Sequence, residues 1–300
     1  MSSDRATPAP QRFVGSVVIP AHDEAASIGR CLDALFDDPC AVRLEVVVAC
    51  NGCTDGTAEV VRSRPYEVKV LELAEASKPA ALRAAERVVA SLPRLFLDAD
   101  VALPARAAVA VVKRLAEPGA LAARPPVVYD DAGASTWVRS YYRARARTPE
   151  LMSSLWGAGV FGLSAAGRSR FGEWPDVIGD DLFADGLFER HEIEIVAGPP
   201  VVVTAPRGVR DLLAVLRRSY RGQREAEGSA VPPRRSLSTL RGVLATARGP
   251  RSAWDAAVLL CLVLVARARA SRRPTGTWER DDSSRQPVDP HAAVARGRLR

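Results

Sequence analysis

The sequence has little lysine: of its 42 basic residues, only Lys69, Lys78 and Lys113 are not Arg. It also has no long apolar run. The longest, AAVLLCLVLVA at residues 256–266, has eleven residues, whereas crossing a bilayer takes about 20. The N-terminus shows no basic segment followed by an apolar one, so no secretory leader is expected. The five cysteines are an odd number without scaffold spacing, which argues against a disulfide framework and suits a reducing cytoplasm. Cys50-Asn-Gly-Cys53 is a lone C-x-x-C. A zinc site would need a second ligand pair, which His22 and His191 do not supply at metal spacing. Small residues filling a tight turn are the expected reading, with a redox pair left open. No internal repeat is present.

What remains is an ordinary globular composition, 47% apolar and 26% charged over 300 residues. It suits one large domain, or one domain plus an appendage. The net charge of +7 is uneven: residues 204–300 hold 20 Arg and 8 acids, whereas residues 1–203 hold 22 Lys/Arg and 27 acids. A basic C-terminal third suits nucleic acid, anionic lipid or phosphate partners, or a solvated tail.

Residues 1–12, rich in Ser, Pro and Ala, are expected to be disordered. Residues 13–19 (FVGSVVI) read as a strand stopped by Pro20. Ser27 is the expected N-cap of a helix presenting Ile28, Cys31, Leu32 and Leu35 on one face. A second strand (44–49) leads into a turn (51–57), where Asp55 or Thr57 caps a helix carrying Val60 and Val61. A strand (68–73), a helix (78–90), a strand (94–97) and a helix (106–115) follow. Continuous apolar strands alternating with helices predict a parallel, doubly wound α/β sheet. Right-handed crossovers gather the loops after the strands along one edge, where ligands sit. Four polar loops fall there: 21–24 with His22 and Glu24, 51–57 with Asn51 and Asp55, 77–78 with Lys78, and 98–100.

The second half is less regular. Strands are expected over 124–129, 194–196 and 201–204, and helices over 137–147, from 179 onward and over 211–224. A Gly-rich stretch covers 156–164, and a Pro/Arg linker covers 229–235. The apolar run at 256–266 is preceded by Trp254 and followed by Arg267, Arg269, Arg272 and Arg273. That pattern suits either a membrane interface with anionic lipid or a helix docked on the protein's own core.

The stretch RLFLDADV (residues 94–101) ends a strand with two acids. Alternation puts Asp98 and Asp100 on one side, where like charges repel and burial is costly. A divalent cation, Mg2+ or Mn2+, would settle the pair, because such ions take oxygen ligands from one or two carboxylates plus substrate phosphates. The alternative is that Asp98 ends the strand and Asp100 faces solvent without metal.

With these residues in hand, the chain resembles the family 2 glycosyltransferases of the GT-A fold over roughly residues 13–228. FVGSVVIPAHDE (13–24) looks like the family's opening strand with its Pro-x-x-x-Glu loop, and VVVACNGCTDGT (46–57) like its second strand and following turn. SKPAAL (77–82) is similar to its Gly-Lys-x-x-Ala-Leu segment, Asp98-Ala99-Asp100 to its D-x-D, GDDLF (179–183) to its Glu-Asp motif, and RRSYRG (217–222) to its late Arg-x-x-Arg region. The resemblance implies an α/β fold with a mostly parallel sheet flanked by helices. A helical extension (229–273) and a disordered basic tail (274–300) would follow it.

It further implies roles. Asp98 and Asp100 would hold Mn2+ or Mg2+ against a nucleotide diphosphate. Asp181 would be the general base, with Asp180 beside it in the Glu position. Pro20, Glu24, Asn51 and Lys78 would line the nucleotide pocket, with His22, Asp55 and Asp98 counted among the substrate contacts. Arg218 and Arg221 would face the diphosphate or the acceptor. One base without a covalent nucleophile implies a single displacement with inversion. Helix capping by Asp180 and Asp181 is the plainer alternative, and a solvated face is that for the two Arg.

Asn51 stands where the family has a base-contacting Asp; its amide can meet a uracil edge but carries a donor as well as an acceptor, so a UDP-sugar is the donor first expected, with GDP- and dTDP-sugars left open. Arg83 replaces the usual Asn after Ala-Leu. The Gln-x-x-Arg-Trp motif of processive synthases is absent, since Gln223-Arg224 is followed by Glu225. A single-addition transferase in the cytoplasm is therefore expected; contact of residues 254–273 with the inner membrane face stays open beside a helix docked on the core. Its acceptor would be a lipid-linked or cell-envelope glycan, in a pocket drawing on residues 137–147, 156–164 and Trp174, unless those aromatics are core. A sugar-phosphate nucleotidyltransferase would open with a Gly-rich loop where PAHDE stands. A catalytically silent nucleotide-sugar or lipid-binding module would not need Asp98, Asp100 and Asp181. No nucleic-acid partner is expected, since it leaves the strand-end loops unexplained.

Overall fold

A computed structural model of the chain describes residues 13–177, 179–227 and 236–270. The expected tails at 1–12 and 274–300 and the linker at 229–235 lie outside the described residues. Strands β1 (Gly15–Ala21), β2 (Leu44–Asn51), β3 (Val68–Leu73) and β4 (Arg94–Leu97) alternate with helices α1 (Ile28–Leu35), α2 (Thr57–Arg62), α3 (Lys78–Val88) and α4 (Ala105–Ala116). Then come β5 (Ala122–Arg124), β6 (Val127–Asp130), α5 (Thr136–Arg147), α6 (Pro149–Met152), β7 (Val160–Leu163), α7 (Ala165–Arg168) and α8 (Asp180–Gly186). The described chain closes with β8 (Ile193–Ile195), β9 (Val201–Thr204), α9 (Val209–Glu227), α10 (Ser236–Ala245) and α11 (Pro250–Ala270).

The main sheet has seven strands in the order β3-β2-β1-β4-β7-β5-β8, and β6 pairs with β9 in a second, two-stranded sheet. The first four strands are parallel. Alternation along them fills both faces: Val17, Ile19, Val46, Val48, Leu95 and Leu97 point into one apolar layer, and Val18, Val47, Ala49 and Phe96 into the other. Burial on both faces explains the unbroken apolar runs.

Several expectations need correction. Pro20 does not stop β1, which runs on to Ala21. Ser16 donates its N–H to the Pro93 carbonyl on the β4 side, so period-two alternation turns position 20 to that side as well. Pairing with β4 ends at Val18, so the N–H that proline lacks is not needed there. Ser27 sits at the N-cap position of α1 without capping it; its hydroxyl bonds to Glu24 instead. The N-cap of α2 is Gly56, not Asp55 or Thr57. The strand expected over 124–129 is two, β5 and β6, because Pro125 and Pro126 between them have no N–H for a ladder. β7 lies inside the Gly-rich stretch, where the sequence pattern predicts no strand. It runs antiparallel between β4 and β5, with Phe161 opposite Phe96.

A third apolar cluster joins α5, α9 and α11. The apolar run of α11 docks through Val258, Leu259, Leu262 and Ala266, while Trp254 and Leu264 stay exposed. Asp255 is fully buried and accepts hydrogen bonds from Arg143 and Arg147 of α5. These bonds outweigh the cost of burial and hold its carboxyl at about 2. No helix among the described residues is long and apolar enough to cross a membrane.

Candidate active site

The ends of β1 and β4 form one wall of a cleft of about 270 Å³. Asp98 follows β4 directly, and its N–H donates to the Gly159 carbonyl at 2.8 Å. The antiparallel β7 thus fixes the start of the acidic loop. Gly159 has φ +65°, and a Cβ there would lie 2.4 Å from Val101 Cγ2, so this crossing requires glycine. Lys78 begins α3 behind the loop, and the Ser77 hydroxyl caps that helix by accepting from Ala80 N–H. Lys78 Nζ reaches Asp98 Oδ1 at 2.7 Å and Asp180 Oδ1 at 2.6 Å. Burial opposes the ammonium charge, but Asp180 and Asp98 outweigh it and raise the lysine above its ordinary value. Burial pushes the Asp180 carboxyl up against the pull of Lys78.

Asp100 has no ion pair among the described residues. It opens into the cleft, yet protein surrounds that mouth closely. Desolvation, then the charges of Asp98 and Glu24, push its carboxyl up to about 6, opposed by Arg218. Glu24, Asp98 and Asp100 all line the cleft. With Lys78 already shared between two carboxylates, this wall keeps an excess of negative charge. The hard oxygen donors of Asp98 and Asp100 fit Mg2+ or Mn2+.

A different group, Asp23, Cys53 and Asp55, brings three ligand atoms within 4.8 Å of one another. This is a turn satisfied from within. Asp23 accepts from the N–H groups of Thr54 at 2.6 Å and Asp55 at 3.3 Å, and Asp55 accepts from Thr57 N–H at 3.0 Å. Burial, then Cys53, pushes the Cys50 thiol up to about 12, which disfavours its thiolate.

Asp181 stands in the first turn of α8, across the cleft from the acidic loop. Its Oδ2 accepts from Gly157 N–H at 3.0 Å and its Oδ1 from Leu182 N–H at 2.8 Å. The N-cap position is Gly179, and no side chain caps this helix. Burial, then the adjacent Asp180, pushes Asp181 up to about 6. The carboxylate can therefore take a proton near neutral pH.

The far wall is aromatic and basic. Arg145 is 3% exposed. Its guanidinium lies 4.0 Å over the Trp156 ring and donates to Tyr129 OH at 2.8 Å. Arg145 and Trp156 fall within the stretches expected to form the acceptor pocket, but no sequence signal singles them out or joins them to Tyr129, because the stack joins residues 11 and 16 positions apart across different elements. Trp174, expected near the acceptor, is 1% exposed and packs edge-on against Phe96 and Phe171; it is core. Trp137 meets Trp254 at the surface, the rings tilted by 51°.

Of the residues singled out from sequence, Glu24, Asp98, Asp100, Asp181 and Arg218 line this cleft, with Lys78 and Asp180 joined behind Asp98. Pro20 and Asn51 lie at the ends of β1 and β2, His22 just beyond β1, and Asp55 in the turn described above. The Asn51 amide is buried and donates to the Ala21 carbonyl at 2.8 Å, while its Oδ1 has no partner among the described residues. His22 Nδ1 lies 2.6 Å from the Asn51 carbonyl. Arg221 is on α9, with its side chain outside the described residues.

The family model described as Glycosyl transferase family 2 matches residues 16–171. No curated protein matches the chain. Among solved structures, the chain is similar to the mannosyltransferase PcManGT from Pyrobaculum calidifontis in complex with GDP-Man and Mn2+. That match has 22% identity, covers 97% of this chain and 83% of that one, and has a TM-score of 0.56. Glucosyl-3-phosphoglycerate synthase from Mycobacterium tuberculosis matches with 16% identity, coverage of 73% and 81%, and a TM-score of 0.46. TarS 1–349 from S. aureus, in complex with UDP, matches with 12% identity, coverage of 89% and 94%, and a TM-score of 0.46. The mostly parallel seven-stranded sheet with C-terminal helices is the GT-A fold.

Proposed function

This chain belongs to glycosyl transferase family 2 and is a glycosyltransferase, and we propose that it moves a sugar from a nucleoside-diphosphate sugar to an acceptor hydroxyl by single displacement with inversion. The observation that carries the reading is the placement of an elevated carboxylate, Asp181, across one cleft from the paired acids Asp98 and Asp100. Asp98 and Asp100 would hold Mn2+ or Mg2+. When bound, such an ion neutralises the charge developing on the departing diphosphate. Lys78 fixes Asp98 and ties it to the start of α8 through Asp180. Arg218 adds positive charge at the same mouth. Gly157 N–H orients Asp181, whose free lone pairs take the proton of the incoming hydroxyl as the new bond forms.

UDP is the nucleotide we favour, because Asn51 at the end of β2 keeps one acceptor, Oδ1, without a partner among the described residues, and a uracil N–H can donate to it. The GDP-Man carried by PcManGT makes GDP-mannose the second donor to try. The acceptor is a lipid-linked or cell-envelope glycan. The exposed Trp137–Trp254 pair and Leu264 on α11, followed by Arg267 and Arg269, support peripheral membrane contact.

Donor hydrolysis, with water as a surrogate acceptor, tests this reading. UDP-glucose, UDP-N-acetylglucosamine and GDP-mannose, each with Mn2+, are followed by proton NMR. The expected result is free sugar first seen as the inverted anomer, lost in Asp181→Asn. Release of the retained anomer would contradict the mechanism.

A further inference from the structure

Three arginines of the described chain are buried: Arg94, Arg124 and Arg145. Arg94 pairs with Glu86 at 2.7 Å. Arg124 is used up on the carbonyls of Ser154, Pro125 and Met152, away from the cleft. Arg145 differs from both. It meets no carboxylate among the described residues, its protein acceptors are Tyr129 OH and, at 3.3 Å, the Trp156 carbonyl, and it lines the cleft. A guanidinium carries five N–H donors, so most of its donor capacity is left over. A buried charge without a counter-ion is costly and calls for one.

The place of this charge is informative. Gly157 has φ +79°, and a Cβ on it would lie 2.6 Å from Arg145 Nη2. The N–H of the same glycine donates to Asp181, and its carbonyl accepts from Tyr129 OH at 3.1 Å. The general base and the unpaired guanidinium thus flank a single residue. Asp181 bonds Gly157 and Leu182 and does not serve as the counter-ion.

We propose that the acceptor carries an oxyanion, a phosphate or a carboxylate, close to its reacting hydroxyl, and that Arg145 binds this group. The inference rests on the glycosyltransferase reading above and names the substrate class of that site. Arginine suits the task because its planar fork meets phosphate and carboxylate oxygens in pairs. The Trp156 ring holds the fork flat from beneath, and Tyr129 fixes its Nε edge. A free anion and a lipid headgroup present the same chemistry to Arg145.

The test uses the full chain saturated with Mn2+ and UDP, so that the donor site is filled. It is titrated calorimetrically with glycerol 3-phosphate, glycerate and glycerol, and with vesicles of phosphatidylglycerol or phosphatidylcholine. The expected result is binding of an anionic probe at least tenfold tighter than of its neutral counterpart, lost tenfold or more in Arg145→Gln, with UDP–Mn2+ affinity retained. A soluble probe passing this test marks a free phosphate or carboxylate acceptor, and only phosphatidylglycerol passing it marks a lipid headgroup. A readout that needs no variant is the Arg145 Nε–H resonance of the wild type, which should shift on adding the anion and not on adding glycerol. Glycerol binding as well as glycerol 3-phosphate, anion affinity undiminished in Arg145→Gln, or an unmoved Arg145 resonance would overturn the proposal. Failure of UDP, GDP and dTDP to bind with Mn2+ would instead overturn the donor reading beneath it.

Discussion

The wall built by the ends of β1 and β4 carries Glu24, Asp98 and Asp100, and the wall facing it carries Arg145 among Tyr129, Tyr142 and Trp156. On the first, Lys78 serves Asp98 and Asp180 and leaves Asp100 without an ion pair among the described residues. On the second, a buried guanidinium is balanced by hydroxyl, carbonyl and ring, with no acid among the described residues. The acidic wall is short of a cation, and the basic wall is short of an anion. Asp100 opens to the cleft whereas Arg145 is buried, and an unmatched charge is costlier when buried; on the proposed reading the first wall would take a metal with its diphosphate and the second an anionic acceptor. Asp181 stands between them.

The largest expected effect breaks the link between the walls. Asp181→Asn should lower kcat by about 10²–10⁴-fold while nucleotide binding is unchanged; equal losses in binding and turnover would make Asp181 a structural residue. Next is the acidic wall itself. Lys78→Met leaves Asp98 and Asp180 without their shared cation. Because Asp98 is partly open to solvent, the cost should fall at the low end for a broken buried pair, about 3 kcal/mol, read as a lower denaturation midpoint. The same midpoint should recover in part with Mn2+.

Third is the pH dependence. Asp181, raised to about 6, must be ionised to act as base, so kcat/KM should climb about tenfold per pH unit below 6 and level off above it. The limb should vanish with Asp181→Asn. Stability should move the other way. Asp100 and Asp181 titrate near 6 when folded and near 3.9 when unfolded, so the folded chain holds protons between these values that the unfolded chain has released. Without metal, stability is greatest below the unfolded value and falls as pH rises through about 6. The Tm gain from Mn2+ should therefore be larger at pH 7.5 than at pH 5. The smallest effect comes from the basic wall. Gly157→Ala forces a side chain into φ +79° and against Arg145, at about 1–2 kcal/mol, with some loss of kcat as the N–H to Asp181 shifts.

The two walls also differ in how far the sequence announces them. β1 to β4 are legible because strands buried on both faces are continuous apolar runs, and Asp98 and Asp100 stand out against one. Asp180 and Asp181 are legible as an acidic pair opening a helix. β7 is not, because its four residues include a glycine and acquire strand character only by pairing with β4. Lys78 is legible as a polar residue at a strand-end loop, but its bridge to Asp180 joins positions about a hundred residues apart. The Tyr129–Arg145–Trp156 stack leaves no trace in any period, because it is assembled from β6, α5 and a loop. Local chemistry near a strand end is written locally, whereas a site made by tertiary packing is not.

The claim that the acidic wall is a metal-dependent donor site is tested most directly by calorimetry. UDP, GDP and dTDP are titrated into the wild-type chain and Asp100→Ala, with and without Mn2+. The account predicts that one nucleotide binds with Mn2+, that omitting the metal weakens it at least tenfold, and that Asp100→Ala abolishes the metal dependence. Nucleotide binding of equal strength with and without Mn2+, or unchanged in Asp100→Ala, would contradict it.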